Sequence, residues 1–474
     1  NHFRLQTFHL TQKINHSFIN TTSVEFTDQI RPPIHFSMAM ISHRLLRKSL
    51  IRQSLNSDTL FYASLLGNVR CAETHFPTVE TNPTAVKTPK LTSNYHVAPD
   101  GFMKGLIFRD PSKPLTMEQF RIPRPKSDEL LIKTKACGVC HSDLHVIKGE
   151  IPFPTPCAIG HEITGEVVEH GPSTHHKFAE RFPIGSRVVG AFIMPCGACF
   201  HCSKGHDELC EDFFAFNRAK GTLYDGETRL FLREKGEPVY MYSMGGLAEY
   251  CVVPANALAL LPETLPYSES SILGCAVFTA YGAIAHAAEV RPGESVAIIG
   301  TGGVGSSCVQ IAKAFGASEI IAVDVSDEKL EKAKEMGANH VVNSAKEDAV
   351  ESIRGITGGR GVDVAVEALG KTVTFWQCIR SVRDGGKAVM VGLSKAGLKG
   401  EIDINHLVRR KIQVIGSYGA RARHDLPNIV KLAECGAFNL PNTVSRRYNF
   451  EAAAQAFDDL NNGRIVGRGV VEIM

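Results

Sequence analysis

Four of the chain's thirteen cysteines lie close together, at Cys196, Cys199, Cys202 and Cys210. Two, two and seven residues separate them, a spacing that lets four thiolates surround one metal ion. Four cysteine sulfurs in a tetrahedron form the closed coordination of a structural zinc site. An odd number of cysteines in a long chain does not suit a disulfide framework, which is typical of small secreted domains. The spacing therefore predicts a zinc-held lobe at about residues 196–210.

A second set of metal-binding residue types is spread along the chain. Cys140 lies in GVCHSD, His161 and Glu162 lie in GHE, and Cys275 lies in LGCAVFTAYGA. A single cysteine or histidine is more often a core or surface residue than a ligand, so the information is in their joint occurrence. Two thiolates and one imidazole leave one zinc position open for a substrate oxygen, which is the composition of a catalytic site.

A glycine-rich run follows the strand-like segment SVAIIG and begins a helical pattern. In such a loop the first glycine permits a tight turn, the second lets the backbone approach a pyrophosphate, and the third lets the helix pack on the strand. The free N–H groups at the helix N-terminus favour phosphate. We therefore predict a dinucleotide site at Gly300, Gly302, Gly303, Val304 and Gly305.

An acidic residue, Asp324, ends the next strand-like run nineteen residues after Gly305. A carboxylate there accepts hydrogen bonds from ribose hydroxyls and repels a 2′-phosphate, so NAD is favoured over NADP. Val325 follows it, with no adjacent arginine to hold a phosphate. Lys329 is a further candidate for a ribose contact; the alternative is a solvated helix lysine.

Two patterns of secondary structure must position these groups. From Met103 to Val253, short β-like runs broken by Gly and Pro indicate a mostly β domain with long loops. From Ser295 onward, strand-like and helical runs alternate, which predicts a parallel, doubly wound sheet and an α/β fold. The long connection at 217–245 is interpreted as a surface loop, and a segment that shapes the pocket entrance is the alternative.

Composition narrows the function classes. The 474 residues are 43% hydrophobic and 21% charged, as in a protein with a packed core. With 52 basic and 49 acidic residues the net charge is +3, which is too balanced to indicate nucleic-acid binding. No run approaches about 20 apolar residues, so no membrane span is expected.

The N-terminal part, residues 1–99, differs from the rest in its composition and periodicity. Residues 1–37 show no periodicity and are interpreted as an upstream or non-native leader. Residues 38–99 are interpreted as a transit segment and a flexible arm, because Arg44, Lys48 and Arg52 share one helical face and no acid occurs between Met38 and Ser57. This predicts a mitochondrial location, with a cytoplasmic one as the alternative.

Together these motifs resemble those of the zinc-containing medium-chain alcohol dehydrogenases. The resemblance rests on GVCHSD, GHE, the four-cysteine lobe, LGCAVFTAYGA, GTGGVG with Asp324, and GRIVGRGVVEI, and it covers roughly residues 100–474. It implies a GroES-like, mostly β catalytic domain, 100–276 plus 420–474. An inserted NAD-binding Rossmann domain would span 277–419. It also implies two Zn²⁺ ions per chain, NAD, and a homodimer or homotetramer.

The resemblance also implies roles around the catalytic zinc. Cys140, His161 and Cys275 would bind the ion, and Glu162 would lie close behind it or act as a transient ligand. Asp143 would orient a ligand imidazole. The alcohol would contact Ser142, and His145 would complete the proton relay.

The remaining implied roles concern the cofactor. Thr279 would contact the nicotinamide, and Arg468 would reach the pyrophosphate. His141 stands where several family members have an arginine against the pyrophosphate. Since a largely neutral histidine grips phosphate less firmly than arginine, we expect weaker cofactor binding and faster release.

The predicted activity is interconversion of an alcohol with an aldehyde or ketone, by hydride transfer between a zinc-bound alkoxide and NAD, with Ser142 and His145 carrying the proton. Three alternatives remain open. The first is a polyol dehydrogenase, and the second is a zinc-free enone or quinone reductase of the same fold. The third is a non-enzymatic protein that binds zinc and a nucleotide.

Overall fold

The computed structural model describes Val97 and residues 101–474. Apart from Val97, the leader of residues 1–37 and the predicted transit segment and arm of residues 38–99 lie outside the described residues.

Strands and helices follow the two patterns expected from the sequence. The strands of the described chain are β1 Phe102–Phe108, β2 Thr116–Arg121, β3 Glu129–Val139, β4 Cys157–Ala158, β5 Ile163–His170, β6 Arg187–Gly190, β7 Leu230–Phe231, β8 Pro238–Met241, β9 Tyr250–Pro254, β10 Leu258–Leu260, β11 Ser295–Ile299, β12 Glu319–Asp324, β13 His340–Asn343, β14 Val362–Glu367, β15 Val382–Met390, β16 Gln413–Gly416, β17 Val444–Asn449 and β18 Arg468–Glu472. The α-helices are α1 His141–Ile147, α2 His176–Arg181, α3 Phe200–Ser203, α4 Tyr267–Ser270, α5 Ala276–Tyr281, α6 Gly303–Ala314, α7 Asp327–Glu335, α8 Ala349–Ile356, α9 Thr372–Ser381, α10 Ile404–Arg410, α11 Ala422–Glu434, α12 Leu440–Thr443 and α13 Ala453–Asn461. Two π-helical segments, Phe213–Arg218 and Gly282–Ala287, and a few short 3₁₀ turns complete the regular structure.

Two sheets build the mostly β part. One has the strand order β2-β1-β4-β8-β7, and the other has the order β10-β6-β5-β3-β18-β17, with β9 also paired to β3. β3 is the longest strand and pairs antiparallel with β5, β9 and β18. Most of its side chains are buried, because neighbouring strands lie on both sides of it. Cys140 directly follows its last residue.

A six-stranded parallel sheet builds the second part, in the order β13-β12-β11-β14-β15-β16. Its central strands are nearly continuous runs of buried side chains, as expected when helices cover both faces of a parallel sheet. The order is that of the doubly wound dinucleotide-binding fold. The predicted α/β architecture, a GroES-like domain with an inserted Rossmann domain, is confirmed.

The C-terminal strand returns to the first part. β18 pairs antiparallel with β3, with Gly469 opposite Val139. Because Arg468 begins β18 and Cys140 directly follows β3, this register places the end of the chain beside the predicted metal ligands.

Within the described residues, no single helix is both long and apolar enough to cross a membrane. One bent pair, Tyr267–Gly274 with Ala276–Ala287, reaches that length and composition only when its two parts are combined.

Candidate active site

A cavity of about 640 Å³ brings the predicted groups together. Residues from the mostly β part and residues from the parallel sheet both line its wall. The predicted site residues on this wall are Cys140, His141, Ser142, His145, Cys275, Thr279, Gly302, Gly303, Val304, Gly305, Asp324, Lys329 and Arg468. The structure therefore joins one metal-ligand set and the glycine loop in a single cleft, which is a usual place for a ligand site.

Cys140, His161, Glu162 and Cys275 converge from three chain segments. Each offers a ligand atom, and these atoms lie within 4.8 Å of one another. Cys275 Sγ is 3.4 Å from His161 Nε2, and all four residues are buried. The two sulfurs and the imidazole nitrogen fit a zinc ion with one open position, and the Glu162 carboxylate lies close beside them.

Asp143 contacts the imidazole of His161, one of the predicted metal ligands. Its Oδ1 accepts a hydrogen bond of 2.9 Å from the Gly160 N–H, and its Oδ2 lies 3.1 Å from His161 Nδ1. That contact has the length of an ion pair but not the geometry of a hydrogen bond. A carboxylate on the far ring nitrogen leaves Nε2 free to face a metal.

Glu162 pairs with Arg468 beside the same site. The Arg468 guanidinium donates to both carboxylate oxygens of Glu162, with Nε 3.0 Å from Oε2. Burial raises the pKa of Glu162, while the positive charge of Arg468 acts in the opposite direction. The pair joins residues 306 positions apart in the sequence, and no local motif signals it.

Arg468 also reaches the glycine loop. A Cβ atom placed on Gly303 would lie 2.9 Å from Arg468 Nη1, so the guanidinium packs directly on the loop backbone. The side chain thus lies between the metal-ligand set and the predicted pyrophosphate site.

Each loop glycine meets the steric need expected of it. Gly300 has φ +92°, which disfavours other residues. A Cβ on Gly305 would lie 1.7 Å from the Gly300 carbonyl oxygen, whereas a Cβ on Gly302 would meet no atom within 4 Å. Gly302 therefore faces open cleft at the start of α6, where a phosphate can approach the helix N-terminus.

Asp324 lies at the end of β12 and closes this loop. Its Oδ2 accepts a 2.8 Å hydrogen bond from the Thr301 N–H, and its Oδ1 accepts one of 2.8 Å from the Val325 N–H. These bonds fix the carboxylate at the wall of the cavity. Lys329 lines the same end of the cleft.

Ser142, His145 and Thr279 lie on the wall near the metal-ligand set. Ser142 and His145 are three residues apart on α1 and therefore share one helix face. Ser142 Oγ is 3.6 Å from Cys140 Sγ. His145 Nδ1 contacts Glu150 Oε2 at 2.5 Å, and this hydrogen bond lowers the pKa of Glu150. Glu150 was not expected from the sequence.

The four-cysteine lobe has the geometry of a metal-binding knuckle. Its four sulfurs lie within 4.8 Å of one another. Backbone N–H groups of Ala198 and Cys199 point at Cys196 Sγ at 3.4 and 3.3 Å. Such N–H donors suit thiolate sulfurs, so the donor set fits a structural zinc ion.

Both ends of the connection at 217–245 reach the cavity, which favours the alternative of a pocket-shaping segment over a surface loop. Arg218 and Tyr242 line the cavity together with Phe192 and Tyr418. The Arg218 guanidinium carbon is 4.5 Å from the centre of the Tyr242 ring. The polar, glycine-rich sequence of this segment does not reveal the cavity contacts of Arg218 and Tyr242, because these contacts depend on the fold of the lobe.

Known proteins share this architecture. Residues 126–263 match the family model described as the alcohol dehydrogenase GroES-like domain, and residues 303–434 match the zinc-binding dehydrogenase model. An alcohol dehydrogenase of Geobacillus stearothermophilus is 34% identical over 374 residues, which cover 78% of this chain and all of that protein. An S-(hydroxymethyl)glutathione dehydrogenase of Saccharomyces cerevisiae is 31% identical over 363 residues, 75% of this chain and 92% of that protein.

Solved structures agree with these relatives. An alcohol dehydrogenase zinc-binding domain protein from Burkholderia ambifaria superposes with a TM-score of 0.74 at 33% identity, covering 79% of this chain and 99% of that one. Benzyl alcohol dehydrogenase from Acinetobacter calcoaceticus gives a TM-score of 0.73 at 29% identity, with 79% and 100% coverage. The chain therefore belongs to the zinc-containing medium-chain alcohol dehydrogenase family. It is an oxidoreductase of the alcohol dehydrogenase type.

Proposed function

We propose that this chain is an NAD-dependent zinc alcohol dehydrogenase that interconverts an alcohol with an aldehyde or ketone. The observation that carries the proposal is the single cavity lined both by Cys140 and Cys275 and by the glycine loop of α6. A substrate carbon held there lies between a metal-ligand set and a dinucleotide site.

Cys140, His161 and Cys275 would hold the zinc ion, and the loop from Gly300 to Gly305 would hold the pyrophosphate of NAD. Bound there, zinc supplies Lewis acidity toward a substrate oxygen, and NAD supplies a hydride acceptor. The protein's own residues bind, orient and move the proton. Asp324, which fixes the loop end, supports NAD over NADP because a carboxylate repels a 2′-phosphate.

Two side chains of α1, Ser142 and His145, carry the hydroxyl proton of the substrate away from the cavity. Ser142 lies next to Cys140 at the cavity wall and accepts the proton at Oγ. His145, on the same helix face, carries it toward solvent, and Glu150 holds its Nδ1. Arg468 and Glu162 form a buried ion pair behind the ligand set, so this wall of the cavity has no uncompensated carboxylate.

The decisive experiment combines zinc counting with turnover. We expect two zinc ions per purified chain and alcohol-dependent formation of NADH, with much slower formation of NADPH. Cys275→Ser should lose one zinc and at least about 99% of the turnover, since catalytic zinc accounts for several kcal/mol of transition-state stabilisation. Cys435→Ser, at an exposed cysteine, is the matched control and should retain both.

Two outcomes would overturn the proposal. Enone or quinone reduction that persists in Cys275→Ser would indicate a zinc-free reductase of the same fold. Zinc and NAD binding without any hydride transfer would indicate a non-enzymatic protein.

A further inference from the structure

A half-buried arginine, Arg218, lines the cavity beyond the groups used above, and its Nε and Nη1 atoms are buried. Arg218 ends the π-helical segment Phe213–Arg218 that follows the zinc lobe. Its guanidinium carbon lies 4.5 Å from the Tyr242 ring centre, 5.1 Å from that of Phe213 and 5.6 Å from that of Phe192. Three aromatic rings therefore surround the cation, and the remaining side is the cavity wall.

The positive charge of Arg218 has no counter-anion among residues 101–474. Its Nε and Nη1 atoms are buried and have no hydrogen-bond partner there, and no carboxylate of these residues lies within ion-pair distance. Two buried arginines are different: Arg229 pairs with Glu129, and Arg468 pairs with Glu162.

An unpaired buried guanidinium is costly, because it loses hydration without gaining a hydrogen-bonded partner. Cation–π contacts with the surrounding rings offset part of that cost, but they leave Nε and Nη1 without a hydrogen-bond acceptor. The Tyr418 hydroxyl is a hydrogen-bonding neighbour of the guanidinium, and Asp143 acts on it only through its charge. Asp143 is itself engaged with Gly160 and His161.

The other acidic groups of the cavity wall are also engaged. Glu150 is bound to His145, and Asp324 is bound to the loop at Thr301. Within the described wall, the natural partner for Arg218 is therefore an anion brought by the ligand.

Arg218 is close to the reacting centre. The Tyr242 ring that contacts it also lies edge-on to the His161 ring, with 5.8 Å between centres. Phe192 bridges the same two groups, with its ring centre 6.0 Å from that of His161. Arg218 and His161 thus contact the same two rings, Phe192 and Tyr242.

We propose that Arg218 binds a carboxylate of the substrate, so that the enzyme prefers short aldehydes and alcohols with a carboxylate at the far end of the chain. The planar guanidinium fork matches two carboxylate oxygens, and the two rings shared with His161 fit a reacting carbon in the same cavity, a few bonds from the carboxylate. This inference rests on the proposed function, which it extends from alcohols in general to ω-oxo and ω-hydroxy acids.

The test compares matched substrates in the zinc-loaded enzyme. Short ω-oxo acids and unsubstituted aldehydes of equal carbon count are reduced with NADH, and kcat/KM is measured for each. We expect the acids to be favoured by about tenfold to a hundredfold, as one or two charge-assisted hydrogen bonds allow. Arg218→Met should remove that preference, and Arg218→Lys should restore part of it.

The control is an arginine with a similar ring contact outside this cavity. Arg233 lies 4.2 Å from the Phe102 ring centre, and Arg233→Met should leave the acid preference unchanged. Thermal unfolding of Arg218→Met establishes that it folds. Calorimetric binding of a short carboxylate and of its amide to the zinc- and NAD-loaded protein gives a second readout, independent of turnover.

The carboxylate could belong to a small acid or to a larger thiol adduct. A second arm therefore uses S-(hydroxymethyl)glutathione, which also carries carboxylates. Loss of the preference for either source in Arg218→Met supports the inference and identifies the source. Equal kcat/KM for acids and neutral aldehydes, or a preference unchanged by Arg218→Met, overturns it while the dehydrogenase assignment stands. Failure of every alcohol and aldehyde to react overturns the proposed function instead, and the calorimetric arm still tests Arg218.

Discussion

At the residue scale, one carboxylate sets the orientation of the metal-binding imidazole. Asp143 is fully buried and is itself positioned by the Gly160 N–H, one residue before His161. Asp143 Oδ2 lies 3.1 Å from His161 Nδ1. The other ring nitrogen, Nε2, therefore faces Cys275.

Asp143→Asn should therefore weaken binding of the catalytic zinc by about 10–100-fold, the usual effect of losing such a carboxylate. The measurement is zinc content by mass spectrometry after dialysis against graded chelator. The four-cysteine zinc is an internal reference and should be retained. Equal retention of both ions in the variant and the parent would contradict the role given to Asp143.

Two glycines of the nucleotide loop serve different purposes: Gly302 leaves room for the cofactor, and Gly305 allows close packing of helix on strand. Gly302 has φ −70° and open space at its Cβ position, so alanine fits there. Gly305 has no such space, because the Gly300 carbonyl oxygen lies 1.7 Å from its Cβ position.

Gly302→Ala should keep its melting temperature and bind NAD about tenfold more weakly, since a methyl group then occupies the pyrophosphate approach. Gly305→Ala should instead lose about 1–3 kcal/mol of stability through overpacking. Calorimetry for NAD and thermal unfolding for stability distinguish the two. A large drop in melting temperature for Gly302→Ala would contradict this division.

Residue types and spacing predicted which residues meet at the candidate metal sites and at the glycine loop, because each belongs to a short recognisable motif. They could not predict the Glu162–Arg468 pair or the place of Arg218. Those contacts depend on how distant segments meet: β18 lies beside β3, and the lobe folds back on the cavity.

At the scale of elements, an ion pair connects the four-cysteine lobe to α11. Arg423, at the start of α11, donates to the buried Asp207 within the lobe, with Nη2 2.6 Å from Oδ1. The same Nη2 lies 2.6 Å from the Cys202 carbonyl oxygen. The lobe itself has little regular structure beyond α3 and a 3₁₀ turn at Asp207–Leu209, so a metal ion would hold its shape.

Cys210→Ser should lose one zinc and lower the melting temperature by at least about 5 °C, because metal binding then no longer contributes to folding. Cys435→Ser is again the matched control. Since Arg218 follows the lobe, the variant should also lose acid preference if the lobe positions that arginine. An unchanged melting temperature would show that the lobe does not depend on its metal.

The sequence predicted the strands and helices better than the segments that connect them. Short β-like runs broken by Gly and Pro indicated the β part, and the alternation of strand-like and helical runs indicated the parallel sheet. The segment 217–245 has polar and glycine-rich composition typical of a surface loop, but Asn217 is buried and its side chain binds the Met241 and Ser243 carbonyls. Such internal bonds carry no periodic signal.

At the scale of the whole molecule, the cleft exists because the chain leaves the first domain, builds the parallel sheet and returns. β18 completes the sheet containing β3, and α5 leads from Cys275 toward the nucleotide-binding part. The metal-ligand set thus comes from one domain and the glycine loop from the other, and the reaction requires both at one cavity.

The most direct test of hydride transfer follows deuterium from the carbinol carbon of a labelled alcohol to NAD. We predict that the zinc-loaded enzyme gives NADH carrying one deuterium, as detected by mass spectrometry, and that Cys275→Ser gives none. Unlabelled NADH, or no NADH from protein that holds both zinc ions and binds NAD, would contradict direct hydride transfer in this cleft.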